Sequence, residues 1–278
     1  MKVNDWLDQA TNKLEKAGIG TARLDALVLL EDATGHDRAY LLAHPETPLR
    51  DLTLQRLDEM AGRRTEHEPL AYIRGKTEFY GHEFIINSHV LEPRPESETM
   101  IDMLKVYCSN KQNYKVVDVG TGSGALGITA QLEIPGIKVI GMDIDPQCLK
   151  LAKQNAAKHE VDIKLMQGNL LEPLKPLDPA IYALLCNLPY VPDGHTINQA
   201  AAMEPRIAIF GGPDGLDIYR ELFEQINRGD ARIHFVFTES LPFQHKELDK
   251  IAKIAGFKLI KADDFIQCFA SLKEQPQE

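Results

Sequence analysis

The sequence lacks the features of a membrane or secreted protein. None of its apolar stretches approaches the length of a membrane span, and the longest are only as long as strands. The first residues contain no apolar signal region and include an acidic side chain, Asp5, which does not suit a transit peptide. The four cysteines are scattered, with neither metal-ligand spacing nor a paired framework. We therefore expect reduced thiols, a cytoplasmic location and no metal site.

An excess of basic charge is also missing. The 31 Lys and Arg residues are outnumbered by 41 Asp and Glu residues, which gives a net charge of −10. This balance disfavours broad binding to the phosphate backbone of a nucleic acid, although a local basic patch would be compatible with it. The contents of hydrophobic residues (44%) and charged residues (26%) are those of an ordinary globular protein. The length of 278 residues suffices for one large domain, or for a medium domain and a small one.

Helical patterns alone occupy residues 1–70. Asn4 and Thr21 are predicted to cap the first two helices, and Gly18 and Gly35 to end them. Because no residue here suggests catalysis, we predict a small all-α domain that either recognises a macromolecule or serves as a packing appendage.

The pattern then changes twice. Residues 71–95 predict a β-hairpin followed by a proline-containing linker. In residues 96–278 strand and helix patterns alternate, which is typical of a mostly parallel α/β sheet covered by helices on both faces. The last two strand patterns, at 257–260 and 266–271, predict an antiparallel hairpin at the sheet edge. The segment 192–213 is too long for a plain connection and suggests a lid over a site.

A glycine-rich turn follows the first strand pattern of the α/β region. The run Lys115–Ala125 leads from a β-branched strand into a turn and then a helix, an arrangement in which the backbone can approach a ligand closely. Asp143 ends the next predicted strand, where a carboxylate would hold ribose hydroxyls. The run fits a dinucleotide fingerprint, with Ala125 in its last place, and equally an S-adenosylmethionine loop opened by Asp118.

Asp118 favours the second cofactor. A carboxylate at this place would repel a pyrophosphate, yet it could interact with the ammonium group of a methionyl moiety. We therefore predict S-adenosylmethionine as the cofactor. The residues predicted to bind it in this region are Asp118, Gly120, Thr121, Gly122, Ser123, Gly124 and Asp143.

A second candidate site is the tetrad Asn187, Leu188, Pro189 and Tyr190, which follows the apolar run 180–185. The Asn187 side chain has one carbonyl acceptor. Pro189 biases Leu188 toward an extended conformation, which leaves the Leu188 carbonyl free to accept a second hydrogen bond. Tyr190 adds a flat ring. We predict that these catalytic residues hold a planar group bearing an NH2, such as a primary amide or an exocyclic base amine.

With these motifs the sequence resembles the HemK/PrmC-type methyltransferases, which methylate the glutamine of peptide chain release factors. The resemblance covers nearly the whole chain. Besides the glycine loop and the tetrad it includes EPLAYIRG at 68–75, PRPESE at 93–98 and EPRIAIFGGPDGL at 204–216. The last two runs are specific to glutamine methyltransferases, whereas many methyltransferases share the glycine loop.

The resemblance implies a Rossmann-like class I methyltransferase sheet with a small all-α N-terminal domain and a β-hairpin linker. It implies that Asn169 and Leu170 lie near the adenine of the cofactor, and that Asn187 serves both cofactor and substrate. The expected reaction transfers a methyl group from S-adenosylmethionine to the side-chain amide nitrogen (N5) of the glutamine in a release factor's Gly-Gly-Gln motif. The expected partner is that release factor, with no nucleic acid and no membrane, and the expected state is a monomer.

The sequence departs from the family pattern at three places. Leu188 stands where Asn-Pro-Pro-Tyr has its first proline, Asn169 stands where an aspartate commonly faces adenine, and Glu92 and Ser97 replace the isoleucine and threonine of Ile-Pro-Arg-Pro-Glu-Thr-Glu. Leu188 keeps its carbonyl, and the missing ring costs roughly 0.4–1 kcal/mol through unfolded-chain entropy, too little to imply inactivity. The tetrad is also similar to the Asn-Leu-Pro-Tyr of adenine dimethyltransferases of ribosomal RNA.

Other functions therefore stay open as alternatives. A ribosomal-protein glutamine methyltransferase would use the same chemistry. A nucleic-acid adenine N6-methyltransferase would use the same tetrad, although the acidic net charge and the run at 204–216 count against it. A non-catalytic cofactor-binding protein is suggested only by the departures. Arg94 is equally compatible with a structural ion pair and with a site residue.

Overall fold

The computed structural model describes residues 1–108, 114–174, 181–229 and 231–272. The chain divides into two compact units. A helical unit comprises Met1–Lys76 and Ile197–Met203, and a sheet unit comprises Thr77–Thr196 and Glu204–Glu278. In the described part of the chain, no helix combines the length and the apolar character needed to cross a membrane.

The helical unit contains α1 (Val3–Lys16), α2 (Ala22–Thr34), α3 (Arg38–Ala43), α4 (Asp51–Thr65) and α5 (Leu70–Arg74). Its core consists of apolar side chains that recur at helical spacing on α1, α2 and α4, among them Leu14 and Leu30. The buried carboxylate of Asp25 on α2 accepts a hydrogen bond from Arg64 Nε on α4 at 2.7 Å. These contacts close the helices around one core.

The first two helices end where predicted, but α1 does not begin where predicted. Gly18 and Gly35 have φ angles of 80° and 73° and end α1 and α2 as predicted. The prediction that Asn4 caps α1 is wrong, because the N-cap is Lys2, two residues earlier. The Asp5 carboxylate, at the third helical position, accepts the Lys2 backbone N–H at 3.3 Å.

The sheet unit begins with a hairpin and continues with alternating strands and helices. Its strands are β1 (Lys76–Phe79), β2 (His82–Ile85), β3 (Tyr114–Val119), β4 (Lys138–Asp143), β5 (Lys164–Gln167), β6 (Ile181–Cys186), β7 (Arg232–Glu239), β8 (Phe257–Asp263) and β9 (Ile266–Ser271). Its helices are α6 (Glu98–Cys108), α7 (Ala125–Glu133), α8 (Pro146–Lys158), α9 (Asp217–Arg228) and α10 (His245–Ile254). Ala180, the first residue of the predicted apolar run, lies outside the described residues.

Strands β3 to β9 form one seven-stranded sheet in the order β5-β4-β3-β6-β7-β9-β8. All neighbouring pairs are parallel except those that involve β9, which runs antiparallel to β7 and β8. The predicted fold class, a mostly parallel sheet with an antiparallel edge hairpin, is confirmed. The central strands are buried on both faces: Val116 and Leu185 join one apolar core, and Val117 and Leu184 join the other.

The strand order reverses between β3 and β6. From β3 the chain moves to β4 and β5 on one side, and from β6 it moves to β7 on the other. Open α/β sheets bind ligands outside the carboxyl ends of their strands at such a reversal. The glycine loop follows β3 and the tetrad follows β6, and the paired register of Asp118 with Leu185 sets the two side by side.

Candidate functional site

A cavity opens at the carboxyl ends of β3, β4 and β6. Among the predicted site residues, those that line it are Asp118, Gly120, Thr121, Gly122, Ser123, Asp143, Asn169, Leu170, Asn187, Leu188 and Pro189. The two that do not line it are Gly124, the N-cap of α7, and Tyr190, which packs against the apolar core that contains Val117 and Leu184. The cavity therefore brings both sequence motifs to one place.

The glycine loop has a backbone conformation that favours glycine at three positions. Gly120, Gly122 and Gly124 have φ angles of 72°, 53° and 83°, in the left-handed region that side chains avoid. At Gly124 a Cβ atom would also lie 2.9 Å from Ile128 Cδ1, so helix α7 starts against the loop without room for a side chain. The Gly124 N–H donates to the Thr121 carbonyl at 2.7 Å, which closes the turn.

Asp118 fixes this loop from inside the protein. Its side chain is only 1% exposed, and its Oδ2 accepts hydrogen bonds from the Thr121 hydroxyl at 2.6 Å and the Gly127 N–H at 2.9 Å. Burial raises the pKa of Asp118 to about 6, against the effect of those hydrogen bonds. The carboxylate thus ties the loop to the first turn of α7, a role that the sequence does not reveal.

Asp143 presents a carboxylate at the end of β4. Its Oδ2 accepts the Gly122 N–H and its Oδ1 accepts the Asp145 N–H, both at 2.9 Å. Burial raises its pKa. A carboxylate oxygen can accept more than one hydrogen bond, so both oxygens can still receive hydroxyl groups from a ligand. The next side chain, Ile144, is 53% exposed and also lines the cavity, where it offers an apolar surface to a flat ring.

Asn169 and Leu170 form the wall near that apolar surface. The Asn169 amide nitrogen donates to the Glu221 carboxylate of α9, which leaves the amide oxygen as the atom that can face a ligand. Leu170 is buried and has a φ of 51°, an uncommon conformation for a leucine. That the two residues lie near an adenine stays a prediction.

The Asn187 side chain belongs to a chain of hydrogen bonds that ends on a buried acid. Its Nδ2 donates to Ser97 Oγ at 2.9 Å, and Ser97 Oγ donates to Glu239 Oε2 at 2.5 Å. The Tyr190 hydroxyl donates to the other oxygen, Glu239 Oε1, at 2.9 Å. Within the described residues the Asn187 carbonyl oxygen accepts no hydrogen bond, although the residue lines the cavity. That oxygen is therefore available to a ligand.

The backbone of the tetrad is held from behind. Gln244, which is buried, donates to the carbonyls of Tyr190 at 2.8 Å and Asp214 at 2.7 Å. The Tyr219 hydroxyl lies 2.8 Å from the carbonyl oxygen of Cys186, the last residue of β6. These contacts set the direction in which the chain leaves the strand, so the tetrad is not a free loop.

Leu188 packs its side chain against the glycine loop. It is 3% exposed, and a Cβ atom on Gly120 would lie 3.1 Å from Leu188 Cδ2. The leucine side chain therefore fills the space between the two motifs, and its backbone carbonyl remains part of the tetrad.

The parts of the predicted lid, 192–213, that belong to the sheet unit make several contacts within that unit. The end of the segment pairs with the chain after the tetrad, with the Val191 N–H donating to the Ile209 carbonyl at 2.9 Å. The buried carboxylate of Glu204 pairs with Arg94 and accepts the Glu92 N–H at 3.2 Å, and burial raises its pKa. Arg94 thus makes an ion pair. Ile207, 68% exposed, lines the cavity, but a closing motion of this segment stays a prediction.

Four residues that support the site were not among the predicted site residues: Ser97, Asn155, Glu239 and Gln244. The side-chain oxygen of the buried Asn155 accepts the Ile85 N–H of the hairpin at 2.7 Å, and its Nδ2 donates to the Ser123 carbonyl at 2.8 Å. Glu239 could have been found, because it ends an apolar strand pattern just as Asp143 does. Ser97 lies in the motif at 93–98, but its partners Asn187 and Glu239 are distant in sequence. Asn155 and Gln244 have no comparable signal.

Two models of known protein families match parts of this chain. Residues 5–75 match the family model "PrmC N-terminal domain", and residues 96–204 match "Methyltransferase small domain". The release factor glutamine methyltransferase of Koribacter versatilis (strain Ellin345) is 36% identical over 229 residues, which cover 81% of this chain and 81% of the relative. That of Deinococcus radiodurans is 34% identical over 225 residues, with 80% of each chain covered.

Solved structures resemble the fold at low sequence identity. The catalytic domain of hMettl16, in complex with MAT2A 3′UTR hairpin 1, has a TM-score of 0.56 at 13% identity, with 89% of this chain and 91% of that chain covered. A human methyltransferase 10 domain containing protein has a TM-score of 0.51 at 17% identity, with 69% and 89% covered. At these identities the likeness describes the fold alone.

Proposed function

Because this chain belongs to the family of release factor glutamine methyltransferases, we propose that it transfers a methyl group from S-adenosylmethionine to the side-chain amide nitrogen of a glutamine in a peptide chain release factor. The observation that carries the proposal is the side-chain carbonyl oxygen of Asn187, which accepts no hydrogen bond within the described residues. It belongs to a residue that lines the cavity together with the glycine loop. The glutamine is that of the Gly-Gly-Gln motif.

The cavity suits S-adenosylmethionine at both of its ends. Asp143 can accept the ribose hydroxyls, and the exposed Ile144 side chain and Leu170 can cover the two sides of a purine. The loop from Gly120 to Gly124 exposes backbone at the start of α7, where the amino-acid end of the cofactor would lie. When bound, the cofactor supplies an electrophilic methyl group on a sulfonium.

The chain's own residues position the substrate amide. An amide nitrogen is a poor nucleophile because its lone pair is delocalised into the carbonyl. The Asn187 side-chain oxygen and the Leu188 main-chain carbonyl can accept its two N–H groups, which fixes its plane and stabilises the positive charge that develops on nitrogen. The new N–C bond forms as the S–C bond breaks, and the proton leaves the nitrogen after attack, so no strong base is required. The Tyr190 ring can add a cation–π contribution of ~0.5–2 kcal/mol.

Asp143 offers a test of the cofactor end. We expect Asp143→Ala to weaken binding of S-adenosylmethionine by about 10–100-fold, since hydrogen bonds to a charged group are each worth about 1.5–3 kcal/mol. Isothermal titration calorimetry measures the affinity, and Asp162→Ala, at an exposed aspartate, is the control. An affinity within about twofold of the wild type would remove Asp143 from the cofactor site.

The reaction itself is tested by mass spectrometry. Purified protein, S-adenosylmethionine and an unmodified release factor are incubated together, and the intact mass and a peptide map follow. We expect one added methyl group on the Gly-Gly-Gln glutamine, and none on a factor in which that glutamine is alanine. If the cofactor binds but the factor gains no mass, the substrate assignment is wrong, and ribosomal proteins and RNA become the acceptors to assay.

A further inference from the structure

We propose that Glu239 is a positioning residue for methyl transfer: through Ser97 it holds the Asn187 side chain with its carbonyl oxygen toward the substrate amide. The proposal rests on the proposed function, since it concerns how the same amide is bound. Among the described residues, Glu239 is not one of those that line the cavity, so it acts only through its neighbours.

The geometry joins three distant parts of the sequence. Ser97 ends the short 3-10 turn Pro95–Ser97, Asn187 follows β6, and Glu239 ends β7. The hydroxyl of Ser97 lies 2.9 Å from Asn187 Nδ2 and 2.5 Å from Glu239 Oε2. Ser97 and Glu239 are each 1% exposed, so water does not compete for these groups.

The direction of each hydrogen bond follows from donors and acceptors. An ionised carboxylate can only accept, so Ser97 must give its single proton to Glu239. Its oxygen can then only accept from Asn187, which means that the amide must turn its NH2 group toward Ser97. The amide carbonyl then faces the cavity, where the substrate N–H groups need an acceptor.

Protonation of Glu239 removes this constraint. A neutral carboxyl group can donate to Ser97 Oγ, which frees the serine proton for the Asn187 carbonyl oxygen. The Asn187 amide could then turn over and present its NH2 to the NH2 of the substrate, donor against donor. The carboxylate form alone therefore excludes the unproductive orientation.

The second oxygen of Glu239 steadies the other end of the tetrad. Tyr190 donates its hydroxyl to Oε1 at 2.9 Å. Both polar ends of the tetrad, Asn187 and Tyr190, are thus tied to one buried carboxylate. This arrangement differs from that of a core ion pair, because among the described residues the hydrogen-bond donors to the Glu239 carboxylate oxygens are the neutral hydroxyls of Ser97 and Tyr190.

The geometry predicts a dependence of turnover on pH. Burial raises the pKa of Glu239 to about 7, while the hydrogen bonds from Ser97 and Tyr190 and the charge of Arg94 lower it and the charge of Glu96 raises it. The Tyr219 hydroxyl contacts the backbone carbonyl and N–H of Glu239. Because the ionised form is the competent one, kcat should rise as the pH increases through about 7 and should fall below it.

The test compares four variants at saturating cofactor and release factor. We expect Ser97→Ala to lower kcat by roughly 10–100-fold, since misplacement of a positioning group has effects of this size. Ser97→Thr keeps the hydroxyl and should restore most of that loss. Glu239→Gln should lower kcat similarly and should also abolish its rise with pH. Ser240→Ala is the matched control, because this buried serine adjoins Glu239 and its hydroxyl has no partner among the described residues.

The outcomes distinguish a failure of the positioning role proposed for Glu239 from a failure of the proposed methyltransferase function. Thermal midpoints and affinities for S-adenosylmethionine, measured for every variant, show that fold and cofactor site are intact, and the Ser97 pair suffices if Glu239→Gln does not fold. Equal kcat for Ser97→Ala and Ser240→Ala overturns the proposal, as does an unchanged rise with pH in Glu239→Gln. A wild-type protein that methylates no glutamine overturns the proposed function instead.

Discussion

Replacement of Asn187 by alanine is expected to lower kcat by about 10²–10³-fold and to change the affinity for S-adenosylmethionine by less than about threefold. The magnitude is that measured when one preorganised group is removed from a charge-stabilising site. In the proposed reaction Asn187 supplies one of the two acceptors for the substrate amide, and the Leu188 carbonyl alone would leave that amide free to rotate. The glycine loop and Asp143 are untouched by the change, so the cofactor should still bind.

Steady-state kinetics with a release factor and calorimetry with the cofactor measure the two quantities. Asn12→Ala, at an exposed asparagine of α1, provides a control for general effects of the substitution. A kcat within about threefold of the wild type would remove the tetrad from the reaction. A cofactor affinity that falls in parallel with kcat would mean that Asn187 acts on the cofactor and not on the substrate.

Replacement of Gly215 by alanine is expected to lower the free energy of unfolding by more than about 3 kcal/mol and to abolish methyl transfer. Gly215 has a φ of 80°, and an added Cβ atom would come closer than 3.0 Å to the Tyr190 carbonyl and to Gln244. Relief of the clash must move the tetrad backbone or break the hydrogen bonds of Gln244. Stability and catalysis should therefore fail together.

Two other glycines of the sheet unit distinguish the cost of backbone strain from the cost of a steric clash. Gly136 has a φ of 81° but open space around it, and Gly194 has open space without a left-handed φ. Gly136→Ala should cost about 1–2 kcal/mol through backbone strain alone, and Gly194→Ala should cost less. Chemical denaturation measures all three. A loss at Gly215 no larger than that at Gly136 would show that the tetrad has room to move.

Much of the fold could be predicted because its signals are local. The alternation of apolar strands with helical patterns led to the correct sheet class, and the short polar turn after residue 260 marked the antiparallel pair β8 and β9. The glycine loop and the tetrad were placed together by one topological rule about strand ends. The start of α1 was missed because the N-cap is Lys2, a residue type that carries no capping signal.

The support of the site could not be predicted, because it depends on contacts between distant residues. Ser97 is 142 positions from Glu239, and Asn155 is 70 positions from Ile85. No periodicity or turn rule relates such pairs. The same holds for the amide of Asn169, whose partner Glu221 lies on another helix. Local patterns located the groups that line the cavity, whereas the groups that orient them become visible only when the chain is folded.

Leu188 shows how the family signature can drift while the chemistry stays. In the proposed reaction the tetrad uses the main-chain carbonyl at this position, and every amino acid has one. What the side chain decides is its fit against Gly120. Because the φ of 72° favours glycine at position 120, the side chain at position 188 must be the one that adapts to this fit. A search pattern that requires two consecutive prolines would pass over this chain, whereas one that requires an asparagine after a buried strand, one proline and an aromatic ring would retain it.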